Sequence, residues 1–237
     1  MDACTTGTDN TAVGARALGA LTTSNQNTAV GYKAGTAITT GGQNTIVGEN
    51  AAIVATTGDR NTVVGRDAGG LLTTGTNNLL LGHDAGKSGS PHTVTVDSDQ
   101  IVLGDNSITN AFIKVSFTVT SDERDKTDIA DFTKGLDIVN SLRPVTYKWD
   151  MRSNYSDDLS VSPDGSKKSN VTEIGLIAQE IETVEKANGY GSSENNRLFF
   201  TKSTDGKNYG LKYERLVPVL INAIKELSTR VTALEAG

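Results

Sequence analysis

The chain has 237 residues, among them 25 glycines and 4 prolines, and a formal net charge of −6. Its aromatic residues are unevenly placed, because only Tyr32 precedes Phe112, so the first half lacks the large rings that fill an ordinary core. One cysteine excludes an internal disulfide framework, and the acidic balance disfavours nucleic acid as a partner. With two scattered histidines and no long apolar run, we expect no metal site, no cofactor and no membrane insertion.

A 17-residue repeat fills the first half of the chain. Five copies share an asparagine, a glycine and an alanine, and a degenerate sixth copy follows an insertion that contains Pro91 and His92. The three columns are Asn10, Asn27, Asn44, Asn61 and Asn78; Gly14, Gly31, Gly48, Gly65 and Gly82; and Ala17, Ala34, Ala51, Ala68 and Ala85. Because this period is too short for a helical hairpin but suits one coil of a β-solenoid, we assign residues 1–111 to an all-β repeat column.

Each coil of this column is predicted to contain two short strands, with glycine and asparagine at the corners, where a positive φ is accessible. The inward positions are predicted to be small and apolar, and they alternate with the alanines. They are Val13, Val30, Val47, Val64 and Leu81. Since one chain would bury little surface in this way, lateral association must supply the rest, and we predict an oligomeric column, most simply a trimer.

The second half of the chain has the pattern of an α+β domain. Residues 112–121 alternate in the manner of a strand and are predicted to link the column to a domain spanning residues 122–237. The elements expected there are a helix at 131–142, a strand at 145–149 and an exposed loop at 151–171. They are followed by a strand or turn at 174–178 entering a short helix, and by a hairpin of 197–202 with 209–213.

A helix at 216–235 is predicted at the end of the chain, where apolar residues alternate spacings of three and four. They are Val217, Leu220, Ile224, Leu227, Val231 and Leu234. This spacing is typical of a coiled-coil seam, although a helix packed only on its own domain can also have it. Pro218 is compatible with the first turn of a helix, which places the helix start near Leu216. We therefore predict a trimer seam.

Two resemblances to known families rest on these residues. The NTAVG-type repeats, each followed three residues later by alanine, resemble the head repeats of trimeric autotransporter adhesins and similar arrays in bacteriophage tail fibres. The second half resembles the C-terminal intramolecular chaperone domain of endosialidase-type phage tail spikes and fibres, which is a self-cleaving peptidase. The segments that carry this resemblance are SDERDKTDI (121–129), GLDIVNSLRPVTYKWD (135–150), GLIAQEIE (175–182) and YGLKYERLVPVLINAIKEL (209–227).

The second resemblance implies a catalytic pair. In that family the chaperone assists trimerisation of a β-rich fibre and is then released by cleavage after the serine of a Ser-Asp pair, through a serine–lysine dyad. By position, the dyad is Ser121 and Lys126, and the scissile bond is Ser121–Asp122. Asp125 departs from the apolar or basic residue that relatives commonly carry there. Its carboxylate favours the charged ammonium of the lysine, so we expect slow or absent cleavage.

The sequence does not determine which carbonyl group is attacked. Ser121 attacking its own carbonyl would close a four-membered ring, whereas the preceding carbonyl gives a five-membered ring and moves the cut by one residue. Cleavage after Ser121 could instead use water, the Asp122 carboxylate or a serine of another chain. In each case the lysine acts as a base only when it is uncharged, and desolvation on trimer assembly would favour that form.

We therefore predict a segment of a phage tail fibre or spike, made in the host cytoplasm and located in the virion, whose partner is itself as a homotrimer. The expected activity is one self-cleavage per chain. The alternative is an uncleaved structural and adhesive fibre tip that binds a host receptor or glycan. Outward positions of the repeats are the candidates for such binding: Arg16, Tyr32, Lys33, Arg66 and His83. A polysaccharide depolymerase fits poorly, because the acidic residues of the repeats share no evident face.

Overall fold

The computed structural model describes residues 3–237, which form two compact units. The first unit contains the chain up to Asn110 together with Asp150–Ser169 and Ser203–Asn208. The second unit contains Ala111–Trp149, Asn170–Lys202 and Tyr209–Gly237. Two short segments from the later part of the sequence thus belong to the first unit. Within residues 3–237, no helix has both the length and the apolar character needed to cross a bilayer.

The first unit is built on a parallel β-solenoid, here called the column, which confirms the predicted fold class. Across the described residues its strands pair in chain order, each with the same repeat position of the next. They are β1 (Thr11–Val13), β2 (Thr28–Val30), β3 (Thr45–Val47), β4 (Thr62–Val64), β5 (Leu79–Leu81) and β6 (Ile101–Leu103).

Each coil of the column has one strand and not the predicted two. The other side of the coil is a run of turns, in which residues such as Lys33 (φ 56°) and Gly35 (φ 59°) have left-handed backbone conformations. Because a strand requires an extended backbone, these left-handed residues prevent a second strand from forming.

The middle residue of each strand lines the interior of the column. Ala29 is fully buried, whereas its neighbour Val30 is 37% exposed and Val13 is 56% exposed. The prediction that Val13, Val30, Val47, Val64 and Leu81 point inward is therefore wrong. Side chains alternate between the two faces of a strand, so a shift of one residue exchanges inside and outside. The alanine column from Ala17 to Ala85 lies inside, as predicted.

The repeated asparagines form a ladder along the column. Asn44 Nδ2 donates to Asn27 Oδ1 (3.0 Å) and to the Gly58 carbonyl oxygen (2.9 Å). Asn44 Oδ1 in turn accepts from the backbone N–H and the Nδ2 of Asn61, at 2.8 and 3.1 Å. Because these buried amides are hydrogen-bonded to one another and to the backbone, the asparagine period has a structural cause.

The second unit has the predicted α+β character, and its helices and strands come in the predicted order. They are α1 (Leu136–Ser141), β7 (Val145–Tyr147), β8 (Glu173–Gly175), α2 (Ala178–Ala187), β9 (Phe200–Lys202), β10 (Tyr209–Leu211) and α3 (Leu216–Glu235). Two antiparallel pairs form, β7 with β8 and β9 with β10. The last helix has the predicted bounds, and a 3₁₀ turn at Tyr213–Arg215 leads directly into it.

A small apolar core holds the second unit together. Phe200, Ile138, Val219 and Ile181 are its most buried members. Beside them lies Glu185, whose carboxylate is 1% exposed and accepts hydrogen bonds from the backbone N–H groups at the start of β9. This carboxylate joins the end of α2 to the strand that fills the core.

Two elements of the second unit differ from prediction. Residues 112–121, all of them described, form no strand, and Phe112 is 93% exposed, because no neighbouring strand of this chain pairs with them. Helix α1 starts at Leu136 and not at 131. The side-chain amide of Asn222, on α3, donates to the carbonyl oxygens of Phe132 and Lys134. These oxygens therefore accept from a side chain and not from the backbone N–H groups of a helical turn.

Candidate functional site

Ser121 and Lys126 are in direct contact. Lys126 Nζ donates to Ser121 Oγ at 2.6 Å and to the Ser121 carbonyl oxygen at 3.2 Å. That carbonyl belongs to the Ser121–Asp122 peptide bond. One amino group therefore touches both a hydroxyl nucleophile and the carbonyl oxygen on which negative charge would develop during attack at that bond.

A 3₁₀ turn at Glu123–Asp125 brings this pair together. Asp122 caps the turn: its Oδ1 accepts from the backbone N–H of Arg124 (2.9 Å) and from Arg124 Nε (3.0 Å). The second carboxylate oxygen accepts from the same guanidinium at 2.6 Å. The backbone N–H of Lys126 closes the turn on the Glu123 carbonyl oxygen at 3.0 Å. All of these contacts join residues within 121–126, so the geometry is local in the sequence.

Two carboxylates, Asp122 and Asp125, are close to the pair in sequence, and they have different partners. The hydrogen bonds from Arg124 lower the pKa of the Asp122 carboxyl, so this group stays ionised and is a weak base. Asp125 forms no ion pair with Lys126 in the described part of the chain, and the ammonium contacts Ser121 instead. Lys126 is the titratable side chain whose contacts with Ser121 are observed.

Residues 121–126 are all exposed in the single chain. A lysine amine surrounded by water keeps its proton at neutral pH, and a buried one gives it up more readily. The pair is therefore in hydrogen-bonded geometry, but this chain alone does not provide the desolvation that would make the lysine an effective base.

The six predicted seam residues lie on the open face of α3. The helix packs on its own unit through Val219 and Ala223, which are buried. The seam positions are each about half exposed or more. They are Val217, Leu220, Ile224, Leu227, Val231 and Leu234. Ile221, which the spacing did not single out, extends the same apolar face.

A second exposed apolar surface runs along the column. The last residue of successive strands points outward, and the resulting stripe includes Val13, Val30, Val64 and Leu103. Sequence reasoning placed most of these side chains inside and so missed the stripe. The stripe follows from the strand register: equal repeat positions pair, so one outward side chain stacks above the next.

Four of the outward polar candidates fall into two pairs, and Arg16 is exposed. Lys33 Nζ lies over the Tyr32 ring at 5.1 Å, and Arg66 lies 3.3 Å from His83 Nε2. The repeat stacks residues 66 and 83, because they are 17 positions apart.

The same stacking groups Asp67, His83 and Asp84, which sequence reasoning did not place together. Both carboxylates have cationic partners: Arg66 pairs with Asp67 at 3.2 Å, and Lys87 pairs with Asp84 at 2.9 Å. Each carboxylate of the cluster is therefore paired with a basic side chain of the protein.

Residues 121–190 match the family model described as chaperone of endosialidase. The match starts at Ser121 and runs from the 3₁₀ turn through α2; we call it the chaperone region. A comparison with curated proteins gave no match, and neither did a comparison with solved structures. The family match supports a chaperone domain in the second half of the chain.

Proposed function

We propose that this chain is a phage tail fibre segment whose C-terminal domain is an intramolecular chaperone. It brings three chains together so that their columns fold in register, and it then cuts its own chain after Ser121. The observation that carries this proposal is the open apolar seam of α3, in a chain that also contains a chaperone region. Contiguous exposed apolar surface of this kind marks a protein interface.

A repeat column needs such help for a physical reason. Its strands are nearly identical from coil to coil, so a slip by one repeat between neighbouring chains keeps most contacts. A trimeric seam at the end of the chain aligns the three copies before lateral contacts form. The outward valine stripe and the apolar side chains of residues 112–121 are then available for burial between chains.

The proposed cleavage uses Lys126 as the general base. The uncharged amine takes a proton either from a water molecule or from the Oγ of a serine of another chain, and the deprotonated oxygen attacks the Ser121 carbonyl carbon. The Ser121–Asp122 bond breaks, and the Asp122 nitrogen receives a proton and becomes the new amino terminus. Hydrolysis consumes one water, whose hydroxyl ends on the acyl carbon.

Trimer assembly is the proposed trigger for this chemistry. Residues 121–126 are exposed in one chain, and burial against two further chains would favour the uncharged lysine. Cutting would then follow correct assembly and not precede it.

Intact mass spectrometry of freshly purified protein tests the cleavage. We expect fragments 1–121 and 122–237 from the wild-type chain, and one full-length mass from Ser121→Ala and from Lys126→Ala. A cut displaced to the bond before Ser121 would identify the five-membered-ring route. A single full-length mass in every variant would contradict self-cleavage.

The second candidate function is an uncleaved fibre tip that binds a host surface. The full exposure of residues 121–126 favours it, since an exposed lysine is a poor base. In that case the pairs Tyr32–Lys33 and Arg66–His83 offer aromatic and cationic contacts for a receptor or glycan. A persistent full-length trimer would support this candidate over the first.

A further inference from the structure

The last coil of the column, residues 82–106, differs from the coils before it. Strands β5 and β6 pair Leu79 with Ile101, which are 22 positions apart where the regular spacing is 17. The additional residues form a compact bulge: the backbone N–H of Gly86 donates to Ser90 Oγ at 3.1 Å, and Ser90 Oγ donates to the His92 carbonyl oxygen at 2.6 Å. This coil therefore has a surface that the regular coils lack.

Asp97 occupies a position that is glycine in the three coils preceding it and serine, Ser24, in the coil before those. Asn78 Nδ2 donates to the Asp97 carbonyl oxygen (3.0 Å), as Asn61 Nδ2 donates to that of Gly75 (2.9 Å). A Cβ at Gly58 or Gly75 would collide with the carbonyl of the next coil. No further strand of the sheet stacks beyond β6, so the larger Asp97 side chain meets no carbonyl of a following coil. Its carboxylate therefore lies at the end of the column.

A segment from the far end of the sequence meets this carboxylate. Asp97 Oδ1 accepts from the backbone N–H of Thr204 at 3.0 Å and also from the Thr204 hydroxyl. Thr204 belongs to the tip of the β9–β10 hairpin, Ser203–Asn208. The tip is held by its own bonds, since Gly206 N–H donates to the Ser203 carbonyl oxygen and Lys207 N–H donates to Asp205 Oδ1. Asp97 is 9% exposed and Thr204 is exposed, so this contact is partly buried.

A second segment, the long loop Asp150–Ser169, contacts the same coil. Ser88 Oγ donates to Asp157 Oδ1 at 3.4 Å, and Asn106 Nδ2 donates to Ser153 Oγ at 3.1 Å. The long loop is also tied to the hairpin tip.

Those ties are polar and involve the first half of the loop. Arg152 donates to the Lys207 carbonyl oxygen at 2.5 Å, and Lys207 Nζ donates to the Asp158 carbonyl oxygen at 3.1 Å. Tip and loop thus present one joined surface, and all of these contacts lie within the first unit.

The partners in these contacts come from opposite sides of the Ser121–Asp122 bond. We propose that the tip and the long loop are a docking surface for the last coil, and that they hold the C-terminal piece on the column after the Ser121–Asp122 bond is cut. The regular coils lack an aspartate at this position, so the surface docks only at the end of the repeats. The inference deepens the proposed function, because it makes release a step separate from cleavage.

The test cuts the chain with an added protease, so that it does not depend on self-cleavage. A recognition sequence for a site-specific protease is inserted into the exposed segment 112–121 of the full-length Ser121→Ala chain. After cutting, the sample is separated by size-exclusion chromatography at micromolar concentration, and each peak is identified by mass. We expect both fragments in one peak. Fragments that separate would overturn the proposal.

Two variants test whether this surface is what holds the two fragments together. Asp97→Ala should speed dissociation of the fragments by about tenfold or more, because it removes a charged acceptor. Asp99→Ala is the matched control, since that carboxylate bonds to Asn77 within the column. Thr204→Val alters only the tip and replaces Asp97→Ala if that variant fails to fold.

Unchanged retention in both Asp97→Ala and Thr204→Val would overturn the assignment. The oligomeric state is measured on the uncut chain. A monomer there would contradict the proposed trimer, and the fragment test would still report on docking.

Discussion

Val219 and Leu220 are neighbours on α3, yet the first is 1% exposed and the second 47%. The helix therefore has a packed face and an open face, and the open face carries the apolar seam. Replacing Leu220 and Ile224 by Asp should leave the fold of the second unit intact, because both side chains lie outside its core. We expect the trimer to dissociate, because charges in a coiled-coil seam oppose association.

Sedimentation velocity of the double variant measures this effect, with circular dichroism to verify the helix. Thr229→Asp, an exposed position outside the seam, is the matched control and should leave the assembly unchanged. A double variant that sediments like the wild type would show that the seam is not the interface.

Gly75 and Gly89 offer a matched pair for the stacking of the column. A Cβ on Gly75 would collide with the Asp97 carbonyl oxygen, whereas one on Gly89 would meet no atom within 4 Å. Gly75→Ala should lower the free energy of unfolding by about 1–3 kcal/mol, the usual cost of overpacking. Gly89→Ala should change it by less than about 0.5 kcal/mol. Denaturant titration of both variants measures the difference, and equal stabilities would contradict the close stacking of coils.

Glu185 is predicted to be essential for the core of the second unit. Its carboxylate accepts from the backbone N–H groups of Leu198, Phe199 and Phe200 at 2.9, 2.6 and 3.2 Å. Glu185→Ala leaves these groups without their acceptor in a buried site and should cost about 2–4 kcal/mol. The loss is measured as a lower free energy of unfolding in denaturant. Glu194→Ala, at an exposed position, should cost far less, and a similar loss in both variants would argue against a special role for Glu185.

Asp125 is predicted to slow self-cleavage. Its carboxylate is adjacent in sequence to Lys126, and a nearby negative charge opposes the uncharged amine that a base requires. Asp125→Leu removes this charge and should therefore raise the cleavage rate. The appearance of fragment 122–237 over time, followed by mass spectrometry, gives the rate. Glu123→Leu removes the same charge from the other end of the turn and should have a smaller effect; a larger one would point to the acidity of the turn as a whole.

The sequence by itself was sufficient for the elements with a strong local period. The 17-residue repeat predicted the solenoid, and the spacing from Val217 to Leu234 predicted a helix with the observed bounds. The proximity of Ser121 and Lys126 also follows from local chain geometry, because a single turn joins them. Their catalytic role stays a proposal.

Only the tertiary structure decided the points that depend on distant partners. Alternation in the TAV segments defines two faces of the strand but does not say which face is buried. Val30 was therefore predicted to point inward, whereas the buried residue is Ala29. Helix α1 is short because Asn222, 90 residues away, binds the chain before it. The bond between Asp97 and Thr204 joins residues 107 positions apart. A local sequence pattern determines the repeat period and the type of an element. Contacts between residues distant in sequence, such as Asp97 and Thr204, depend on how the whole chain folds.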